Sequence, residues 1–324
     1  MTLKSLLAGT ALLILAACQN ADKVTDTADN SVKIKNAETA QNKVKDKKPV
    51  KAQDDAAKRK AVNAVAKKAL NQIVAAQPKE VKARFKYRNP AQTLNFFRIK
   101  PGMTVVEILP GGGWYSKILM PYLGPEGELV AVDYNKDLWP NFGFVNAEFL
   151  EKRKTWAETW IAGAQAWEIE NASNLNAFKF GEMPADLTGK ADAVLFIRAL
   201  HNLNRFDPAF LEQAINDSKT ALKPNGLVGI VQHRAPEGNT DEWASGAAGY
   251  LKQSYVIAKM EEAGFKLLKA SEINANPNDK PGADDVVWRL PPTLATSRED
   301  AELKAQMEAI GESDRMTLLF RKTN

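Results

Sequence analysis

The sequence predicts an α/β domain with a doubly wound, mostly parallel sheet that starts near residue 78 and ends in an antiparallel C-terminal strand pair. Four short apolar runs alternate with stretches of helical periodicity, as repeated β–α–β units require. Two more strand-like runs close the chain without a crossover helix between them, which is typical of an antiparallel pair. The 324 residues include one cysteine, so an intramolecular disulfide is excluded.

The four apolar runs are the predicted parallel strands, and they cover residues 104–109, 128–132, 193–197 and 227–232. Their continuous hydrophobicity fits strands that are buried on both faces. Helical patterns cover residues 114–123 and 144–161. Asp207, followed by Pro208, caps a further predicted helix that runs to Leu222.

The C-terminal part predicts a helix over residues 250–263, ended by Gly264, and strands over residues 265–270 and 316–321. A long insertion at 274–315 separates these two strands. We interpret this insertion as a candidate lid over a binding site.

The first 17 residues predict a secretory signal peptide. Lys4 gives a positive start, and the apolar run 6–17 would span roughly 18 Å as a helix, short of the ~30 Å hydrocarbon core. Residues 15–18, Leu-Ala-Ala-Cys, resemble the bacterial lipobox, whose cysteine is acylated after cleavage. The resemblance implies a palmitate-type lipid anchor at Cys18 and a cell-envelope lipoprotein, and Gln19 favours the outer membrane. The alternative is an ordinary signal peptide with a chance cysteine.

For residues 18–77 the sequence predicts three parts: the acylated Cys18, a disordered basic tether and a short amphipathic helix at 53–77. The tether, from residue 19 to about 52, has no aromatic residue and cannot bury enough apolar surface to fold. Residues 19–77 hold thirteen Lys and Arg against seven Asp and Glu, whereas residues 78–324 hold thirty against thirty-two. The excess basic charge therefore lies next to the anchor, and the near-neutral domain argues against a nucleic-acid partner.

The strongest local signal is a buried strand that carries an acid near its end and leads into a glycine turn. The acid is Glu107, and the turn contains Gly111, Gly112 and Gly113. Glycines let a ligand approach the backbone, and the helix that follows offers free N–H groups. Asp133 ends the next strand twenty residues later, where a carboxylate can accept both hydroxyl protons of a ribose. The pattern predicts a nucleoside-binding site.

At these residues the chain resembles class I S-adenosylmethionine (SAM) dependent methyltransferases, and more closely a bacterial family of predicted methyltransferases. The likeness lies in RNPAQTLNFFRIKPGMTVVEILPGGGWYS, FIRALHNL and DRMTLLFRK, and it covers roughly residues 78–324. It implies a Rossmann-like fold that binds SAM, with Glu107 and the three glycines at its methionine part and Asp133 at its ribose. It also implies that Glu182 meets the adenine. Leu109 departs from the family pattern, which has glycine at that position.

A dinucleotide site is the main competing interpretation, since the glycines and Asp133 also loosely fit a nicotinamide fingerprint. Glu107 would then place a negative charge near a pyrophosphate, whereas SAM carries a sulfonium and an ammonium that attract a carboxylate. A degenerate turn that binds nothing is the third alternative.

The two histidines, His201 and His233, each follow a predicted strand, where doubly wound sheets bind their ligands. An imidazole can take a proton from an oxygen or nitrogen nucleophile. Our hypothesis therefore makes His201 the general base, with Arg198 or Asn202 orienting the methyl acceptor. The alternative is that the histidines bond only to loop backbone.

Other residues favour structural roles. Neither histidine has another His or Cys at ligand spacing, so the sequence predicts no metal site. Arg88 is interpreted as a surface arginine, with closure over the site as the alternative. Four tryptophans are interpreted as core packing around one helix, with substrate stacking as the alternative: Trp139, Trp156, Trp160 and Trp167.

Together these patterns predict methyl transfer from SAM to a small molecule or an envelope component. SAM is made in the cytoplasm, however, whereas an anchored domain faces the periplasm or the exterior. The alternative function is therefore a non-catalytic lipoprotein that uses the same fold to bind another small ligand. The sequence indicates no particular oligomeric state.

Overall fold

The computed structural model describes residues 50–323, and its central element is a mixed β-sheet. The strands are β1 (Thr104–Ile108), β2 (Glu128–Asp133), β3 (Asn174–Lys179), β4 (Ala191–Ile197), β5 (Leu222–Ala235), β6 (Leu251–Lys252), β7 (Phe265–Ser271) and β8 (Arg315–Lys322). Their order in the sheet is β3-β2-β1-β4-β5-β8-β7, and β6 pairs with β5 off this path.

The helices lie before, between and after these strands. They are α1 (Val50–Ala76), α2 (Lys79–Lys82), α3 (Phe85–Arg88), α4 (Pro90–Phe96), α5 (Ser116–Leu123), α6 (Ala147–Lys154), α7 (Trp156–Gln165), α8 (Leu200–Asn204), α9 (Pro208–Ala221), α10 (Gln253–Glu262) and α11 (Ala301–Ile310).

The strand directions confirm the predicted fold class, a Rossmann-like sheet with an antiparallel C-terminal pair. Strands β3, β2, β1, β4 and β5 run parallel to their neighbours. Strand β8 runs antiparallel to both β5 and β7. The usual dinucleotide-binding order continues past its fifth strand with a sixth strand, whereas here β8 is inserted in the opposite direction.

The predicted elements differ from the structure mainly at their ends. Asp207 caps α9 as predicted, because its Oδ1 accepts a hydrogen bond of 2.9 Å from the N–H of Ala209. The predicted helix at 144–161 is in fact two helices, α6 and α7, that meet at Thr155. Strand β3 was not predicted, because this edge strand mixes exposed and buried positions and lacks a continuous apolar run.

Apolar side chains cover both faces of the sheet. In β1, Val106 and Ile108 belong to a buried cluster with residues of α9 and α10, whereas Val105 belongs to a second cluster with residues of α4, α5 and α7. This alternation is the period of two expected of a strand. The two layers hold the carboxyl ends of the parallel strands at one edge of the sheet, where the candidate site lies.

The predicted signal peptide at 1–17, Cys18 and the predicted tether up to residue 49 lie outside the described residues. Helix α1 occupies the segment for which the sequence predicts a helix at 53–77. Within residues 50–323, no helix has both the length and the apolar character needed to cross a bilayer.

We expect Gly229→Ala to destabilise the fold by about 1–3 kcal/mol, the usual cost of overpacking a core. A Cβ at Gly229, in β5, would lie 2.6 Å from the ring of Phe97. The matched control is Gly163→Ala in α7, where a Cβ meets nothing within 4 Å and removal of glycine favours a helix. Urea unfolding measures both variants, and a Gly229→Ala protein as stable as the wild type would contradict this packing.

Candidate functional site

A cavity of about 700 Å³ opens at the carboxyl ends of β1, β2, β4 and β5. Doubly wound sheets bind their ligands at this edge. The loops after β1, β2 and β4 and the end of β5 bring eight of the residues named in the sequence analysis into its wall: Leu109, Gly111, Gly112, Asp133, Arg198, His201, Asn202 and His233.

The turn after β1 has the backbone shape that the glycine pattern predicts. Leu109 replaces the expected glycine, yet it adopts a left-handed φ of 52° that glycine favours, and Gly111 has a φ of 56°. A Cβ at Gly111 or Gly112 would meet nothing within 4 Å, so the loop is open toward the cavity. Gly113 has a different role, because a Cβ there would collide with the ring of Trp167.

Glu107 lies behind this turn and does not line the cavity, although the resemblance places it at the methionine part of SAM. Its side chain is buried, and Ser116 Oγ donates a hydrogen bond of 2.6 Å to Oε2. Burial raises the pKa of the Glu107 carboxyl to about 7, while the Ser116 bond lowers it. The carboxyl therefore sits under the glycine turn, near the helix that begins at Ser116.

Asp133 lines the cavity from the end of β2, and its role at a ribose stays a prediction. Burial raises its pKa to about 6, against the attraction of Arg153. Arg153 Nη1 lies 3.3 Å from Asp133 Oδ2, and its guanidinium stacks 4.4 Å over the ring of Trp139. A ribose that binds Asp133 would share this carboxylate with Arg153.

Glu182 is not brought to the cavity wall. Its side chain is about half exposed and pairs with Lys179 at 3.1 Å. Glu182 follows β3 at the edge of the sheet and is not among the residues that line the cavity. The prediction that it meets an adenine is therefore not supported by its position.

The two histidines lie together, with ring centroids 5.2 Å apart, and both line the cavity. Burial lowers the pKa of His201 to about 4, with the nearby charge of Arg198 lowering it further. Burial also lowers the pKa of His233, helped by repulsion from His201 and Arg315. Both rings are therefore neutral at neutral pH.

Gln232 fixes the tautomer of His201. Its Nε2 donates to the carbonyls of His233 and Gly249, at 3.3 and 3.1 Å, which orients the amide. Its Oε1 then lies 3.3 Å from His201 Nδ1, and an amide oxygen can only accept. Neutral His201 therefore carries its proton on Nδ1 and keeps Nε2 as the proton acceptor.

Four arginines form a basic cluster in the cavity wall: Arg84, Arg88, Arg198 and Arg315. The sequence predicts a site role for Arg198 but not for Arg84 or Arg315. The interpretation of Arg88 as a surface residue is wrong, because its exposed fraction is 3%. Glu312, next to the cavity, pairs with Arg84 at 2.6 Å, with Arg88 at 3.1 Å and with Arg315. Arg88 and Arg315 lie in two of the sequence segments that carry the family resemblance. This shared membership is the sequence signal from which a common site for the two arginines could have been predicted.

The insertion at 274–315 forms part of the cavity wall through residues 287, 288 and 290–293, and its role as a lid stays a prediction. Buried Asp279 anchors this segment. It accepts hydrogen bonds from the Tyr250 hydroxyl at 3.0 Å and from Arg289 Nη2 at 2.8 Å.

The four tryptophans do not share one role. Trp160 and Trp167 pack edge to face, as the packing interpretation predicts. Trp139 and Trp156 line the cavity, so core packing is only part of their function. Within residues 50–323, no three His, Cys, Asp or Glu side chains are grouped as a metal site requires.

The comparisons with known proteins concern the fold. No family model matches this chain. Over 50 residues, 15% of this chain, the sequence is 40% identical to ribosomal RNA small subunit methyltransferase H of Flavobacterium psychrophilum, and the match spans only 17% of that protein.

Several solved structures are similar in fold. A SAM dependent methyltransferase from Aquifex aeolicus matches over 61% of this chain and 93% of its own, with 18% identity and a TM-score of 0.43. The [4+2]-cyclase SpnF matches over 73% and 80%, with 12% identity and a TM-score of 0.47. A Burkholderia thailandensis 1,6-didemethyltoxoflavin-N1-methyltransferase, solved with S-adenosylhomocysteine, matches over 74% and 78%, with 13% identity and a TM-score of 0.40.

We expect Glu107→Gln to flatten the pH dependence of stability. Because the folded-state pKa is raised to about 7, folded Glu107 keeps a proton that the unfolded chain releases above about pH 4.3. This contribution is fully present below about pH 4.3 and is lost as the pH rises through about 7. Between about pH 5 and pH 8, urea unfolding should show the wild type losing about 1–3 kcal/mol more than the variant. Equal losses would contradict the assignment.

We expect neither histidine to titrate near its ordinary pKa of about 6.5. The chain contains only two histidines, so their Cε1 proton signals can be followed by NMR and assigned with His201→Gln. Both signals should stay constant from about pH 8 to about pH 5.5, with His201 titrating near pH 4. An inflection near pH 6.5 in either signal would show that the rings are not buried as described.

Proposed function

We propose that this protein is a SAM-dependent methyltransferase that acts on a small molecule or an envelope component. One observation carries the proposal: the open Gly111–Gly112 loop and Asp133 lie at neighbouring strand ends in the wall of one cavity. A turn without side chains and an acceptor for ribose hydroxyls are the features that a nucleoside requires.

The chemistry of the cavity wall fits SAM. The loop leaves room for close approach to the backbone, and the Asp133 carboxylate can accept hydroxyl protons. Trp139 and Trp156 add aromatic surface to the wall of the same cavity, against which a planar base can pack. Bound SAM would supply an activated methyl group, whose transfer breaks the carbon–sulfur bond and leaves a neutral thioether.

The chain's own residues then act mainly by positioning the methyl acceptor. His201, Asn202 and Arg198 lie after β4, in the same cavity as the glycine loop. Holding two reactants in the correct geometry supplies a large part of most rate accelerations. His201 is neutral and can take a proton, but a pKa of about 4 makes it a weak base that suits an acidic or already ionised acceptor.

We also propose that the domain is held at the cell envelope by acylated Cys18, with the outer membrane favoured. This part of the proposal is supported by the signal-like residues 1–17 and the lipobox-like residues 15–18.

A second function, binding of another small ligand without catalysis, is favoured by one specific contact. The Arg153–Asp133 ion pair occupies the carboxylate that a ribose would use. If that pair persists, the cavity selects a ligand other than a nucleoside.

We expect S-adenosylhomocysteine to bind the purified protein and Asp133→Asn to weaken that binding by roughly tenfold to a hundredfold. The estimate follows from hydrogen bonds to a charged group, worth about 1.5–3 kcal/mol. The matched control is Asp137→Asn, an exposed acid in the same loop after β2. Titration calorimetry measures all three proteins. If neither SAM nor S-adenosylhomocysteine binds the wild type, the non-catalytic alternative replaces the enzyme.

A further inference from the structure

The charge of the cavity wall is divided between its two halves. Asp133 is the one carboxylate among the described lining residues, and it stands at the end of β2. The basic cluster stands on the other side, where Arg198 follows β4 and Arg315 begins β8. Strands β2 and β4 are separated by β1, so these two ends lie roughly 10 Å apart.

The basic cluster has too little negative charge of its own. Arg84, Arg88 and Arg315 share a single carboxylate, Glu312. Although burial raises the pKa of Glu312, the three arginines lower it to about 2, so this carboxylate is ionised. Even so, the three arginines and the Glu312 carboxylate together carry a net charge of about +2.

Arg198 adds a fourth positive charge without a partner. Within residues 50–323, its guanidinium forms neither an ion pair nor a side-chain hydrogen bond, although it lines the cavity. Burial, followed by repulsion from Arg88 and Arg315, lowers its pKa well below the ordinary value. Arg198 thus lines the cavity near enough to both the Glu312 group and His201 for its charge to act on them.

An uncompensated cation that is partly removed from water, as Arg198 is, is costly, and an anion that hydrogen-bonds to it removes part of this cost. Arginine binds carboxylate and phosphate oxygens especially well, because its planar fork matches two oxygens at once. The cluster therefore has the charge and the donors of an oxyanion site.

We propose that the basic cluster binds an oxyanionic group, a carboxylate or a phosphate, of the methyl acceptor, with Arg198 as its main partner. This proposal rests on the proposed methyltransferase function, because only a methyltransferase has a methyl acceptor. It names the class of molecule that the enzyme methylates, a small anion. The neutral pair His201 and His233 lies next to Arg198, so it meets the same molecule without adding charge.

The same chemistry has a second source, the carboxylate of SAM itself. The two sources are expected on different sides of the cavity. The open glycine loop and Asp133, the proposed SAM site, lie on the β1–β2 side, whereas Arg198 lies on the β4–β5 side. Competition with S-adenosylhomocysteine therefore separates them.

Titration calorimetry with saturating S-adenosylhomocysteine tests the proposal, using benzoate and phenyl phosphate as anionic probes and benzamide as the neutral match. We expect at least one anion to bind roughly tenfold tighter than benzamide, and Arg198→Gln to remove about that factor. The matched control, Arg98→Gln, removes an exposed arginine with the same left-handed backbone, φ 61° against 59°, and should leave binding unchanged.

Anions that bind no better than benzamide, or equally well to Arg198→Gln, would overturn the proposal. Anion binding that S-adenosylhomocysteine abolishes would assign the cluster to the cofactor's carboxylate and would also overturn it. Absence of S-adenosylhomocysteine binding would instead overturn the proposed function. The anion titrations in the absence of S-adenosylhomocysteine would then test only whether the basic cluster binds anions.

A measurement on the wild type covers the case in which Arg198→Gln does not fold. The positive charge of Arg198 lowers the pKa of His201, and phenyl phosphate bound to Arg198 would offset that charge. The His201 Cε1 proton should therefore titrate at higher pH with phenyl phosphate than without it, and an unchanged midpoint would overturn the proposal.

Discussion

Two neighbouring parallel strands end in non-glycine residues with left-handed backbone, and the whole site depends on this constraint. Leu109 follows β1 with a φ of 52°, and Arg198 follows β4 with a φ of 59°. Such a conformation costs on the order of 1–2 kcal/mol for a residue other than glycine. It is held because each backbone N–H bonds to the next strand, Leu109 to Val132 and Arg198 to Val231, at 2.8 and 2.6 Å. The two turns carry the chain away from the sheet and leave the cavity between them.

Burial next to these turns then sets the charge of each group. Acids under or beside the glycine loop hold their protons more tightly than in water, and the histidines beside Arg198 lose theirs, because a buried ion is costly in both cases. The arginines remain charged and gather around Glu312. The cavity is therefore most positive on the β4–β5 side, whereas on the β1–β2 side its wall holds Asp133 together with Arg153 and Lys117.

The sequence predicts the β1, β2 and β4 strands to within two residues, because continuous apolar runs mark buried parallel strands. It also places Asp133, Arg198, His201 and Asn202 at the strand ends that form the cavity. Strand β3 escapes prediction because an edge strand needs few apolar residues. The Glu312 cluster escapes it because Arg84 and Arg88 lie more than 220 positions from Glu312 in the chain, and no local pattern joins them. Leu109 departs from the glycine pattern in the sequence, yet its backbone has the left-handed φ that glycine favours.

A crystal structure of the protein with S-adenosylhomocysteine tests the central claim most directly. The account predicts ribose hydroxyls within hydrogen-bond distance of the Asp133 carboxylate, the amino-acid part over Gly111 and Gly112, and free space beside Arg198 and His201 for the acceptor. A ligand bound elsewhere, or a cavity closed by the Arg153–Asp133 pair despite saturating ligand, would contradict it.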